Sequence, residues 1–271
     1  DSHDHSCAYD ATFTILTNIW AEDTIPWSGR FDSLSPMMGQ YGAYLRSVIE
    51  NRWTLEQARD RIRRHVHAVN PTHFPYGPNQ TSIDRLAVAL FPSKSYAKGR
   101  QSCALCGFAD ATEYRLLEAT LSAGLNTRAD YPVPVRIQDW FGAYLTKGRT
   151  SCTSCRRQNI RRKMTMLRSI SDVPPIILLE ITHNRLRFDQ EIGFDCDGTL
   201  IRLRLRGIVY GGQGHFNARF IDRSGVVWFH DGITTGKRCV RETEMRLIAD
   251  TMSLQMCGTK GAVAVVYARV I

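Results

Sequence analysis

Cys7, His215 and Asp231 are a thiol, an imidazole and a carboxylate, the group types from which a nucleophile, its base and an orienting acid are built. Between them in the chain lie two Cys-x-x-Cys pairs, Cys103 with Cys106 and Cys152 with Cys155. Two intervening residues let both sulfurs of a pair turn inward onto one edge of a tetrahedral ion. Four thiolates close the shell, so the pattern predicts one structural zinc and no open catalytic position. The 45 residues between the pairs suit two hairpins at the tip of an extended sheet better than a compact nucleic-acid ribbon. Redox pairs would sit at a helix start after a strand, a setting neither pair clearly has.

Cys7 follows Ser6, which can cap a helix, and a thiol at a helix N-terminus is expected to have a lowered pKa. Read alone, it is more simply a small buried hydrophobe, as free cysteines usually are. His215 follows Gly211-Gly212-Gln213-Gly214, a turn that leaves the ring accessible, and opens a strand over 215–221. A turn over 222–225 returns the chain through 226–231. Folding about Arg223 and Ser224 sets His215 opposite Gly232, or Asp231 if Gly225 bulges, so that Asp231 can fix the imidazole tautomer. His3, Asp4 and His5 read as the loop leading into Cys7, and His65 with His67 as an exposed helix face.

The elements that must position these groups change in kind along the chain. Residues 7–19 carry a helical stripe of Ala8, Ala11, Ile15 and Ile19. Residues 45–69 read as two further helices, and 83–91 as another stopped by Pro92. A short amphipathic helix is expected over 135–145, between the cysteine pairs. Strands are expected over 176–182, 200–210, 215–221, 226–230 and 262–269. Helices first and strands later predict an α+β class.

With 271 residues, 43% of them hydrophobic, the chain can bury a core, and no apolar run approaches the roughly 20 residues that span a bilayer. The expectation is a soluble monomer, cytoplasmic or nuclear, without membrane contact. Cys196, Cys239 and Cys257 are scattered singly, which favours a reducing compartment over a disulfide framework. The absence of an initiator Met and a signal peptide reads as a segment of a longer protein. Asn79-Gln80-Thr81 is a glycosylation triplet that occurs by chance and is set aside. The formal charge is +9, much of it in runs at 59–64, 156–163 and 202–206. The runs fit nucleic acid or an acidic partner, but solvated faces are the simpler reading; Arg202, Arg204 and Arg206 alternate with Leu203 and Leu205 as on the wet side of a strand.

Seven pieces in this order resemble the ubiquitin-specific proteases, with gaps, from Cys7 to about Arg269. Ser6-Cys7-Ala8-Tyr9-Asp10-Ala11 resembles the cysteine box, and 79–86 a degraded Gln-Gln-Asp-Ala-x-Glu-Phe-Leu helix. The two cysteine pairs match the family's fingers. Pro174-Pro175 before 176–179, with Arg185 following, is similar to the first palm strand. Gly214-His215-Phe216-Asn217-Ala218 resembles the histidine box, and Trp228-Phe229-His230-Asp231 its Trp-Tyr-x-Phe-Asp/Asn ending, one residue shorter. Residues 261–269 resemble the closing strand.

The resemblance implies a papain-like α+β fold with a thumb (about 1–97), zinc-bearing fingers (about 98–175) and a palm (about 176–271). It implies Cys7 as nucleophile, His215 as base, Asp231 as orienter, and Cys103, Cys106, Cys152 and Cys155 as zinc ligands. It implies a deubiquitinase that cleaves at the C-terminal glycine of ubiquitin or a ubiquitin-like modifier. Two positions depart from the pattern. Ser2 stands where the family has its oxyanion Asn, leaving Ser2, His5 or the backbone N–H of Cys7 to serve. Thr81 replaces the family's Asp, and Asp84, where its Glu would be, is left as the acidic contact for a basic modifier tail. Two rival readings stay open: a ubiquitin-binding module of the same shape that does not cut, and a zinc-stabilised nucleic-acid binder using Arg156, Arg157, Arg161, Arg162 and Lys163.

Overall fold

The structure is a computed structural model describing residues 6–77, 79–91, 94–109, 114–123, 135–146, 152–160, 165–170, 172–182 and 186–270. Ser2, His3, Asp4, His5, Pro92, Arg161, Arg162, Lys163 and Arg185 lie outside the described residues.

Five helices come first. α1 (Cys7–Ala21) buries the expected Ala8, Ala11, Ile15 and Ile19, together with Leu16 and Trp20. Ser6 does not cap it: the Ser6 backbone is already helical, and its hydroxyl donates to Asp10 Oδ2 at 2.7 Å. α2 (Thr24–Leu34) was not expected, because Pro26, Gly29 and two serines mask the pattern. Its helical register is carried by Trp27, Phe31 and Leu34, spaced i, i+4, i+7 and all buried. α3 (Pro36–Ile49) begins nine residues before the expected start at 45; Ser35 Oγ accepts Met38 N–H at 3.0 Å and Pro36 opens the first turn. α4 (Leu55–Val69) starts at a capping box between Thr54 and Gln57, and α5 (Ile83–Leu90) closes the group.

A three-stranded sheet follows, ordered β2-β1-β5, from β1 (Ala97–Ser102), β2 (Tyr114–Leu117) and β5 (Thr165–Ile170). Also within this stretch lie β3 (Thr120–Ala123), β4 (Val135–Arg136), α6 (Ile137–Thr146) and the short α7 (Thr153–Arg157). The expected helix at 135–145 is α6, whose first two expected residues are instead β4, paired in parallel with β7 (Leu186–Arg187).

With β3, the remaining eight strands build a nine-stranded sheet: β6 (Ile176–Ile181), β8 (Glu191–Cys196), β9 (Thr199–Gly212), β10 (His215–Ile221), β11 (Val226–His230), β12 (Val240–Glu244), β13 (Met256–Cys257) and β14 (Lys260–Arg269). Its path is β12-β11-β10-β9-β14-β6-β3, with β8 added on β9 and β13 on β14. The α+β class expected from the order of elements is the class observed. No helix among the described residues is long and apolar enough to cross a membrane.

The helix that begins at Cys7, α1, lies directly on this sheet. A Cβ built on Gly207 of β9 would meet Ile15 side-chain atoms of α1 at 2.5–2.6 Å, so only a glycine admits the helix there. Gly207→Ala is therefore expected to destabilise by roughly 1–3 kcal/mol through overpacking, read as a lower thermal midpoint. On β9, Arg202 and Arg204 are exposed and face Glu191 at 2.6 and 3.3 Å, as the alternation implied. Arg206 is a correction. It is buried, donating to Ile221 O and to Glu22 Oε2 at 2.8 Å each, because the end of α1 covers it. The 59–64 run is internal only in part, since Arg61 and Arg64 are exposed. Arg59 binds Asp10 and Asp60, Arg61 lies over Trp53, and buried Arg63 lies over Tyr9 and Tyr76.

Candidate active site and cysteine cluster

The β10–β11 hairpin carries the imidazole and the carboxylate. Its loop holds three residues, Arg223, Ser224 and Gly225, because Gly225 adopts φ +87° and its N–H returns to Asp222 O at 3.0 Å. Asp222 Oδ1 accepts the N–H groups of Ser224 and Val226, and its Oδ2 accepts Trp228 Nε1–H at 2.8 Å, which locks the turn. The ladder pairs Ala218 with His230 and Ile221 with Val227, one step beyond the expected register. Continued outward, it sets Asn217 across from Asp231, so His215 meets Asp231 diagonally and not directly. Residues two apart on a strand share a face, and the pair still closes: His215 Nε2 lies 2.8 Å from Asp231 Oδ1.

Asp231 is 4% exposed. Burial pushes its carboxyl up, but the hydrogen bond from His215 and the N–H groups of Ile233 and Thr234 outweigh that and hold it below the ordinary value. It is therefore an anion at neutral pH.

Cys7 is the first residue of α1 and is half-buried. Its thiol lies against the backbone N–H of Phe216, the residue after His215. The expected lowering of its pKa is not found. Burial raises it, Asp10 adds to the rise, and the N–H groups of Phe216 and Ala8 only partly offset them. The resting thiol is therefore protonated at neutral pH.

Two contacts that the sequence reading missed brace this site. Gln80 donates its amide to Gly214 O, tying the segment before α5 to the turn before His215. Arg59 and Ser6 both hold Asp10, whose Oδ2 would lie 3.7 Å from a Cβ on Gly232. The signal for Gln80 was its place in the degraded helix motif; Arg59 was hidden in a charge run that read as solvent-facing. Thr81 is buried and within 3.3 Å of Tyr9 Oη, while Asp84 is exposed in the first turn of α5. Of the pair read as an exposed helix face, His65 is exposed, but His67 Nδ1 lies 2.7 Å from Phe74 O and packs against Tyr76.

Beyond the end of β1, the four paired cysteines come together, with all four sulfurs within 4.8 Å of one another. Cys103 faces Cys155 at 3.7 Å and Cys106 faces Cys152 at 3.6 Å. A tetrahedral zinc with sulfur at about 2.3 Å requires sulfurs about 3.8 Å apart, so the donor set fits this ion in kind and spacing. The N–H groups of Cys106 and Leu105 point at the Cys103 sulfur and favour its thiolate. Cys152, at the N-cap of α7, accepts Cys155 N–H at 3.5 Å. Three of the four residues are buried and Cys106 is exposed.

By sequence the chain matches no family model and no curated protein. By structure it is similar to the SAGA DUB module Ubp8/Sgf11/Sus1/Sgf73 bound to monoubiquitin. The TM-score is 0.57 at 12% identity, over 98% of this chain and 67% of that one. The same module bound to ubiquitin aldehyde gives TM-score 0.56 at 12% identity, covering 98% of this chain and 68% of that one. A form with truncated Sgf11 gives 0.56 at 10% identity, covering 99% and 68%. The α+β fold is thus a deubiquitinase-like one.

Proposed function

We propose that this chain is a cysteine-type deubiquitinase that hydrolyses the isopeptide or peptide bond at the C-terminal glycine of ubiquitin or a ubiquitin-like modifier. The observation that carries the reading is the His215–Asp231 hydrogen bond of 2.8 Å beside a thiol seated on the Phe216 amide. Asp231 engages Nε2, which leaves Nδ1 to take the Cys7 proton. The thiolate then attacks the glycine carbonyl, and the tetrahedral oxyanion collapses as His215 returns the proton to the departing amine. Water activated by the same imidazole hydrolyses the thioester and frees Cys7. Because burial keeps the resting thiol protonated, proton removal belongs to the attack and is not completed beforehand. The backbone N–H of Cys7, with Ser2 or His5, is the source of the oxyanion donor in this reading.

Cys103, Cys106, Cys152 and Cys155 would hold one structural zinc that ties two loops together and takes no part in the chemistry. The thumb, fingers and palm division at about 97/98 and 175/176, the tail contact at Asp84, the monomeric state and a cytoplasmic or nuclear setting belong to the same proposal. A ubiquitin probe with an electrophilic C-terminus tests it. Covalent labelling of the wild type and none of Cys7→Ala is expected. Binding of ubiquitin without labelling of the wild type would leave the non-cutting module, the reading that the raised Cys7 pKa favours.

A further inference from the structure

Asn217 is an anomaly in the middle of the sheet. It sits on β10 between Phe216 and Ala218, paired across the ladder with Tyr210 of β9. It is 4% exposed, and its Oδ1 is buried with no hydrogen-bond partner among the described residues. A buried strand position of this size suits Val or Thr, and an unpaired buried amide costs stability. Such a cost is commonly kept where a site needs the group.

Its place says which site. The β10–β11 ladder, continued one step past Ala218 and His230, puts Asn217 across from Asp231, and strand alternation puts it on the face of His215. Asp231 Oδ1 is already shared by His215 Nε2 at 2.8 Å and Ile233 N–H at 2.9 Å. Its Oδ2 accepts no side-chain hydrogen bond among the described residues, although a carboxylate has about four acceptor sites. The two ends of a carboxamide have nearly the same outline, so a half-turn about its last bond replaces Oδ1 with an N–H donor.

We infer that Asn217 is a positioning residue: its amide donates to Asp231 Oδ2 and keeps Oδ1 aimed at His215 Nε2. The inference rests on the catalytic reading above and adds a fourth member that acts only through the carboxylate. It accounts for a polar group in an apolar position.

Asn217→Val and Asn217→Thr test it, since the two new side chains have the same shape and only Thr carries a hydroxyl donor. In Asn217→Val the Asp231 carboxylate loses its donor while the apolar side chain packs in the strand, so the melting temperature is expected to change by less than about 2 °C. Its kcat on a ubiquitin C-terminal fluorogenic substrate should fall about tenfold with KM unchanged, and Asn217→Thr should recover most of that loss. Wild-type turnover in Asn217→Val overturns the inference. So does an equal loss in both variants accompanied by lower melting, the pattern of a merely structural residue. The low-field proton resonance of the His215–Asp231 hydrogen bond gives a readout free of activity. It should shift in the Val variant and return in the Thr variant. If the wild type proves inert toward ubiquitin probes, the catalytic reading fails, while an unchanged resonance separately sinks the role of Asn217.

Discussion

His215→Ala is expected to lower kcat/KM by roughly 10²–10⁴-fold or more with the melting temperature unchanged, because the imidazole moves the proton in the chemical step. The Cys7 thiol is raised by burial and by Asp10, so without a base it stays protonated and unreactive near neutral pH. Asp231→Ala should retain more activity than His215→Ala, since it orients the ring and water can partly substitute. Adding Cys7→Ala to His215→Ala should cost little more than either change alone, as members of one unit are not additive. Steady-state kinetics on a ubiquitin fluorogenic substrate, with melting curves for each variant, check all three. Near-normal rates in His215→Ala would disprove the assignment and turn attention to buried His230.

Removing metal is expected to be as drastic for the cysteine cluster and the sheet beside it. Purified protein should carry close to one zinc per chain, and Cys155→Ala should carry almost none, since Cys155 is fully buried at the centre of the cluster. Four sulfurs held within 4.8 Å without an ion would be three buried thiols and one exposed thiol sharing little but each other. Structural zinc in small fingers contributes on the order of 10 kcal/mol of folding free energy, enough to decide whether a three-stranded sheet of this size stays ordered. Chelation should therefore expose all four cysteines to alkylation and melt the β2-β1-β5 sheet, seen as lost amide protection there and retained protection in β9 and β14. A stoichiometry near zero, with all four thiols freely alkylated in the native protein, would remove zinc from the account.

What the sequence made legible were the residues that chemistry constrains. Paired cysteines separated by two residues can grip one ion, and the four sulfurs do lie together; His215 and Asp231 also meet, one register step from where the hairpin count put them. Long strands with β-branched alternation, such as 200–210 within β9, were visible for the same reason. Elements held by partners were not. Strand β1 reads Ala-Lys-Gly-Arg-Gln-Ser, which carries no apolar face, and it exists because β2 and β5 pair with it on either side. The hairpin register was missed by one step because Gly225 adds a third loop residue, a choice of turn that the sequence leaves open. The environments of Arg206 and the Cys7 thiol depend on what a helix covers, and no local pattern encodes that.

Arg206 and Glu22 also set a lever. Glu22 ends α1 and is clasped by buried Arg206 of the sheet, while Cys7 rides at the opposite tip of the same 15-residue helix. At 1.5 Å per residue the arm is about 22 Å long. A tilt of one degree about the clasp would carry the sulfur about 0.4 Å, close to the whole tolerance of about 0.5 Å within which a reacting constellation works. If Cys7 is the nucleophile as proposed, its aim is thus set in part at the other end of its helix, by an ion pair about 22 Å away.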